Sequence, residues 1–155
     1  MKYSIDTSAI LDGWQRYYPP DVIPGLWEKL EELIDKGDLI ATEEVLIELK
    51  KKEGDVAYKW AKKHDQMFIP IDSKIQIEVT KILGSHRKLI DTRKNRSAAD
   101  PFVIALAIVE NCKVVTGERP TTSLTRPHIP DVCRAMNVPW IDLVQLCREQ
   151  GWTFN

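Results

Sequence analysis

The chemistry open to this sequence is narrowed first by what it has little of. Only three of its 155 residues are cysteine, Cys112, Cys133 and Cys147, an odd number without CxxC spacing. That argues against a disulfide frame or a cysteine zinc site and fits reduced thiols in a cytosolic chain. The three histidines, His64, His86 and His128, share no spacing, which argues against a histidine metal site or a catalytic dyad. No charged-then-apolar leader opens the sequence, and its longest apolar run, Phe102 to Val109, is far too short to span a bilayer. The net charge of −1 gives no global attraction to nucleic acid or membrane, so any nucleic-acid contact must be local. Internal repeats, low-complexity segments and linkers are missing too. The expectation is a soluble, cytoplasmic protein with no membrane partner, one domain over residues 1–155.

What is present alternates between strand and helix. Tyr3-Ser-Ile5 reads as a short strand closed by Asp6; Thr7 and Ser8 can cap a helix beginning at Ala9. Asp12-Gly13 and Tyr17-Tyr-Pro-Pro20 mark an irregular connection. Val22, Ile23, Leu26, Trp27, Leu30, Leu33 and Ile34 recur at helical spacing, and Gly37 ends that helix. Leu39-Ile-Ala41 is a strand, and Thr42 can cap a helix from Glu43 to about Lys52. A helix over 56–64, an edge strand at Met67–Ile71 and a helix boxed by Ser73 and Gln76 follow. Beyond a basic stretch from His86 to Arg96, Pro101 to Val109 is apolar on every side, the mark of a helix buried all round. Lys113–Thr116 is a buried strand, Gly117–Pro130 a loop, Val132–Met136 a short helix and Val138–Ile141 a strand. Asp142 caps a last helix that stops at Gly151. This alternation predicts an α/β fold, a three-layer α/β/α sandwich around a mainly parallel sheet.

Four carboxylates stand out. Asp6 ends the first strand, Asp100 opens the most apolar helix, and Glu118 follows the buried strand, which gathers these three at one edge of the sheet. Each also has a plainer role: Asp6 as a helix cap, Asp100 as a cap before Pro101, Glu118 as a loop acid paired with Arg119. Glu48 lies on the border of the apolar face defined by Val45, Leu46 and Leu49, and alone reads better as a solvated acid beside Lys51 and Lys52. Carboxylates without an obligatory His or Cys are chemistry for a hard cation, Mg²⁺ or Mn²⁺. The five tryptophans read as core, with Trp14 the one candidate for stacking on a base. Arg87, Lys88, Arg93, Lys94 and Arg96 lead directly to Asp100. They form either a solvated face or a cradle for nucleic-acid phosphates, Arg93, Lys94 and Arg96 above all.

In order and spacing, strand-Asp6-Thr-Ser8, Val45-Leu-Ile-Glu48-Leu, Ala99-Asp100-Pro-Phe-Val-Ile-Ala and Val115-Thr-Gly-Glu118 resemble a PIN domain of the VapC-like ribonuclease superfamily. With Tyr18-Pro19, Pro24-Gly-Leu-Trp27 and Gly151-Trp-Thr-Phe154, the chain looks closest to a less-characterised PIN-like bacterial toxin group. The resemblance makes Asp6, Glu48 and Asp100 metal ligands and catalytic residues, with Ser8 and Thr116 as accessory hydroxyls. Glu118 stands where aspartate is usual, so its longer side chain orients less well as a fourth ligand. The activity implied is a metal-dependent endoribonuclease using Mg²⁺ or Mn²⁺. It would cut single-stranded or loop RNA to 5′-phosphate and 3′-hydroxyl ends, as the toxin of a toxin–antitoxin pair. An antitoxin protein is the implied partner, and a homodimer is compatible with the resemblance. Two alternatives stay open. One is a non-catalytic module of the same fold that binds RNA or protein. The other is an aspartyl-phosphate phosphohydrolase, which wants an aspartate where Ser8 stands.

Overall fold

A computed structural model describes residues 1–52, 55–86, 99–121 and 127–155. Five strands, β1 (Tyr3–Ile5), β2 (Leu39–Thr42), β3 (Phe68–Ile69), β4 (Lys113–Val115) and β5 (Trp140–Ile141), form one sheet in the order β3-β2-β1-β4-β5. Every pairing is parallel, with Tyr3 beside Leu39 on one side and Ile5 beside Val115 on the other. The chain builds outward from β1 to β3 and then returns to the other side of β1 for β4 and β5. The order therefore reverses between β1 and β4, and a crevice opens at their carboxyl ends.

Among the described residues eight α-helices cover the sheet: α1 (Thr7–Asp12), α2 (Pro24–Asp35), α3 (Glu43–Lys51), α4 (Asp55–Lys63), α5 (Ser73–Ser85), α6 (Asp100–Glu110), α7 (Ile129–Ala135) and α8 (Leu143–Gln150). The result is the expected three-layer α/β/α arrangement. Helix α6 lies against β1, β2 and β4, its Val103, Ile104, Ala105, Leu106 and Ala107 fully buried. Ser4 on β1 is small enough for its hydroxyl to donate to Val103 O at 2.9 Å, which ties that helix to the central strand. Burial of each large aliphatic side chain here contributes about 1.5–3 kcal/mol. Among the described residues no helix is long and apolar enough to cross a membrane.

Several local expectations are corrected. Asp6, not Thr7 or Ser8, caps α1, because its carboxylate reaches the Ala9 amide at 2.8 Å while Thr7 and Ser8 are already helical. Asp72 likewise displaces the expected Ser73–Gln76 box by accepting from Ile75 N. Thr42 makes no side-chain cap, and its buried hydroxyl has no hydrogen-bond partner among the described residues. Ala99 holds the cap position of α6, which places Asp100 inside the first turn, where a carboxylate complements the helix dipole. Gly13–Tyr17, expected to be irregular, is a π-helical continuation of α1. Gly13 packs closely there, since a Cβ on it would lie 2.9 Å from Leu143 Cδ1. The short helix after the Gly117–Pro130 stretch starts earlier than expected, at Ile129, and takes Pro130 into its first turn. The last helix is capped as expected, by Asp142 with Gln145 in a reciprocal box, and ends at a left-handed Gly151.

A carboxylate cluster at the switch point of the sheet

Asp6 sits at the carboxyl end of β1, where strand geometry gives way to helix. It is 2% exposed, and its carboxylate is held on three sides. Ala9 N donates to Oδ1, Thr116 Oγ1 donates to Oδ2 at 2.7 Å, and the Ser8 hydroxyl lies within 2.9 Å of both oxygens. Gly117 N donates to Ser8 Oγ at 3.0 Å and Glu118 N to Thr116 Oγ1 at 3.0 Å. The turn after β4 is thus stitched to the turn after β1, and the two expected hydroxyls form the seam. Gly117 allows this close approach: a Cβ would meet Ser8 O at 3.1 Å and Asp12 Oδ2 at 2.6 Å.

The electrostatics of this seam are strained. Burial raises the pKa of Asp6 from 3.8 to about 7, and the nearby charge of Glu118 pushes the same way against its three hydrogen-bond donors. The buried Cys133 thiol on α7 is pushed up as well, first by desolvation and then by Asp6, Glu118 and Asp100 in turn. The charges of three of the four expected acids therefore reach one side chain, that of Cys133.

Glu48 is not the solvated acid that its helical position alone favoured. It is 8% exposed and takes the Thr7 hydroxyl on Oε1 at 2.6 Å and the Ala99 amide on Oε2 at 3.2 Å. Thr7 follows Asp6 and Ala99 precedes Asp100, so Glu48 ties together the two segments that carry those acids. Asp100, 6% exposed, lies at the mouth of α6. Glu118 points back toward the amino end of α7, where Ile129 N donates to its Oε1 at 3.5 Å. Arg93, Lys94 and Arg96 lie outside the described residues.

One feature, Asp131, escaped the sequence reading, and one expectation, for Trp14, is corrected. Asp131, buried at 5%, accepts from Thr121 N, Thr121 Oγ1 and His128 N, and so anchors both described ends of the loop that begins at Gly117. The His128-x-x-Asp131 spacing before an apolar helix was the available signal. Trp14 is not a free platform for bases: it packs edge-on against Trp27 at 4.7 Å and tilted against Trp60 at 5.8 Å.

A family model describing a domain of unknown function, DUF4411, matches residues 3–154. The chain belongs to the DUF4411 family. No curated protein matches it significantly. Among solved structures, the DUF4411 chain is similar to VapBC2 from Rickettsia felis bound to a DNA fragment from its promoter, at 16% identity and a TM-score of 0.54. That match covers 92% of this chain and 98% of the other. It is also similar to PAE2754 from Pyrobaculum aerophilum, at 15% identity, TM-score 0.55 and 96% coverage of both chains. VapBC-1 from nontypeable Haemophilus influenzae follows at 13% identity and TM-score 0.56, with 93% of this chain and 99% of that one covered. The fold is therefore that of the PIN/VapC proteins, as the motifs implied.

Oxygen donors of like charge, buried together, are a donor set suited to a hard divalent cation. Their arrangement is open: among the described residues no three of His, Cys, Asp or Glu already stand close enough to form a finished cage. Asp6 has one lone-pair direction left over, since the single Ser8 proton serves only one of its two oxygens at a time.

Proposed function

We propose that this DUF4411 chain is a metal-dependent endoribonuclease. The observation that carries this reading is the buried Asp6 carboxylate at the β1/β4 switch of the sheet, hydrogen-bonded to the turn that carries Glu118 and linked through Glu48 to the segment that carries Asp100. In this reading Asp6, Asp100, Glu118 and Glu48 hold Mg²⁺ or Mn²⁺. When bound, such a cation acidifies a water and neutralises charge on a phosphodiester. The protein's own part is positional. Ser8 and Thr116 orient the Asp6 carboxylate, and Glu48 sets the spacing between the Asp6 and Asp100 segments. Arg93, Lys94 and Arg96 are assigned to the RNA backbone, which suits a flexible single strand. Likeness of fold to the VapBC structures extends the reading to the toxin of a toxin–antitoxin pair, cytoplasmic, held by an antitoxin protein, with a homodimer compatible.

Purified chain incubated with unstructured RNA and Mn²⁺ should give products with 5′-phosphate ends and should stop on addition of EDTA. Cleavage that persists in EDTA would overturn the metal mechanism. The open arrangement of the acids supports a second reading, a module that keeps the fold and binds RNA or protein without turnover. Binding with no cleavage in any divalent metal would select it.

A further inference from the structure

A cavity of about 440 Å³ adjoins the acids and shares Thr116, Gly117 and Glu118 with them. Resting on the ribonuclease reading above, we propose that this cavity is a base-binding subsite. It takes the nucleobase next to the scissile phosphate and favours bases that carry an exocyclic amino group.

The first argument is the ring surface. Tyr17, Tyr18 and Trp140 line the cavity, Tyr17 largely exposed and the other two half-buried, so aromatic faces remain open to a flat ligand. The π-helical turn Gly13–Tyr17 delivers the tyrosines: Gly13 seats it against Leu143 at the start of α8, beside β5 and its Trp140. Such wide turns recur at functional sites. The second argument is charge. Among the described residues that line the cavity, Asp12, Glu118 and Asp142 face one guanidinium, Arg119, while the charges of Arg16 and Lys52 reach Asp12 from outside the lining. This excess of carboxylates repels a phosphate and leaves the neutral base as the part of a nucleotide that enters. The third is the hydrogen-bond code. The Asp12 carboxylate makes no hydrogen bond among the described residues and is free to accept. Adenine, cytosine and guanine offer amino N–H donors, whereas uracil presents its one N–H between two carbonyl oxygens, which a carboxylate repels.

The test is titration of the ¹⁵N-labelled full chain in EDTA with AMP, GMP, CMP, UMP and ribose 5-phosphate, followed by NMR. The amino-bearing nucleotides should shift the Gly117 amide and the Trp140 indole N–H and bind about tenfold tighter than UMP. Tyr17→Ala, at an exposed position, should weaken all four nucleotides by about tenfold. Asp12→Ala should erase the preference over UMP while nucleotides still bind. Ribose 5-phosphate moving the same signals as the nucleotides would overturn the proposal, as would cavity signals that no nucleotide moves, or a preference that survives Asp12→Ala. The titration contains neither metal nor turnover. A chain that binds nucleotides here yet cuts no RNA refutes the ribonuclease reading alone, and one that cuts RNA without this binding refutes the subsite alone.

Discussion

Replacing Asp6 by asparagine should stabilise the metal-free protein, and the size of the effect depends on pH in a defined direction. The Asp6 carboxyl has its pKa raised from 3.8 to about 7, by burial first and by Glu118 second. At about 1.4 kcal/mol for each pH unit, that rise corresponds to roughly 4 kcal/mol of destabilisation once the group is ionised. Between about pH 4 and pH 7 the folded chain keeps a proton that the unfolded chain has already lost. Stability therefore falls as pH rises through this window and levels off above it. The asparagine side chain would keep an acceptor for Ala9 N but would turn donors toward Thr116 Oγ1, which already accepts from Glu118 N. The misfit costs about 1–2 kcal/mol. A net gain of about 2 kcal/mol at pH 8 should raise the Tm in EDTA by about 4–8 °C for a chain of this size. Thermal unfolding followed by circular dichroism at pH 5 and pH 8 is the assay. The two proteins should converge at pH 5 and separate at pH 8. Equal melting temperatures at pH 8, with a wild-type Tm flat from pH 5 to pH 8, would refute the claim that Asp6 is buried beside a second carboxylate.

Two further substitutions probe how the cluster is held. Gly117→Ala forces a Cβ to 3.1 Å from Ser8 O and 2.6 Å from Asp12 Oδ2, and overpacking of this kind costs about 1–3 kcal/mol; a Tm equal to wild type would show that the seam yields freely. Asp131→Ala removes the acceptor of Thr121 N, Thr121 Oγ1 and His128 N and should cost about 2–4 kcal/mol in urea unfolding, while Asp131→Asn should cost less than half of that. Equal losses for the two would show that charge, not the pattern of accepted bonds, sets the loop.

The parts of this architecture legible in the sequence are those set by short-range pattern. Tyr3–Ile5 and Lys113–Val115 are short strand-forming runs, β-branched or aromatic at most positions and closed by Asp6 and by Thr116-Gly117. The chain cannot keep either buried strand going past Asp6 or Gly117, so the acids and hydroxyls at those breaks fall on one edge of the sheet. What escaped depends on partners distant in sequence. A helical wheel puts Glu48 on a border and cannot show that Thr7 and Ala99 will supply two donors to it from other elements. Gly13 looks like a helix breaker until Leu143 is placed against it. The capping errors have a local cause: at the starts of α1 and α5 an aspartate one position ahead of a Ser or Thr competes for the same amides and wins.

The central claim is that Asp6 and Asp100 contribute to one cation site, and Mn²⁺ binding read by electron paramagnetic resonance tests it without recourse to activity. Free Mn²⁺ gives a strong signal that broadens when the ion is bound. The wild-type chain should deplete the free signal at about neutral pH, and excess Mg²⁺ should restore it. Asp6→Asn and Asp100→Asn should each weaken Mn²⁺ binding by at least about tenfold, as expected for loss of a direct carboxylate ligand. Wild-type and variant titrations that superimpose would contradict the account, because the acids gathered at this edge of the sheet would then not share a metal.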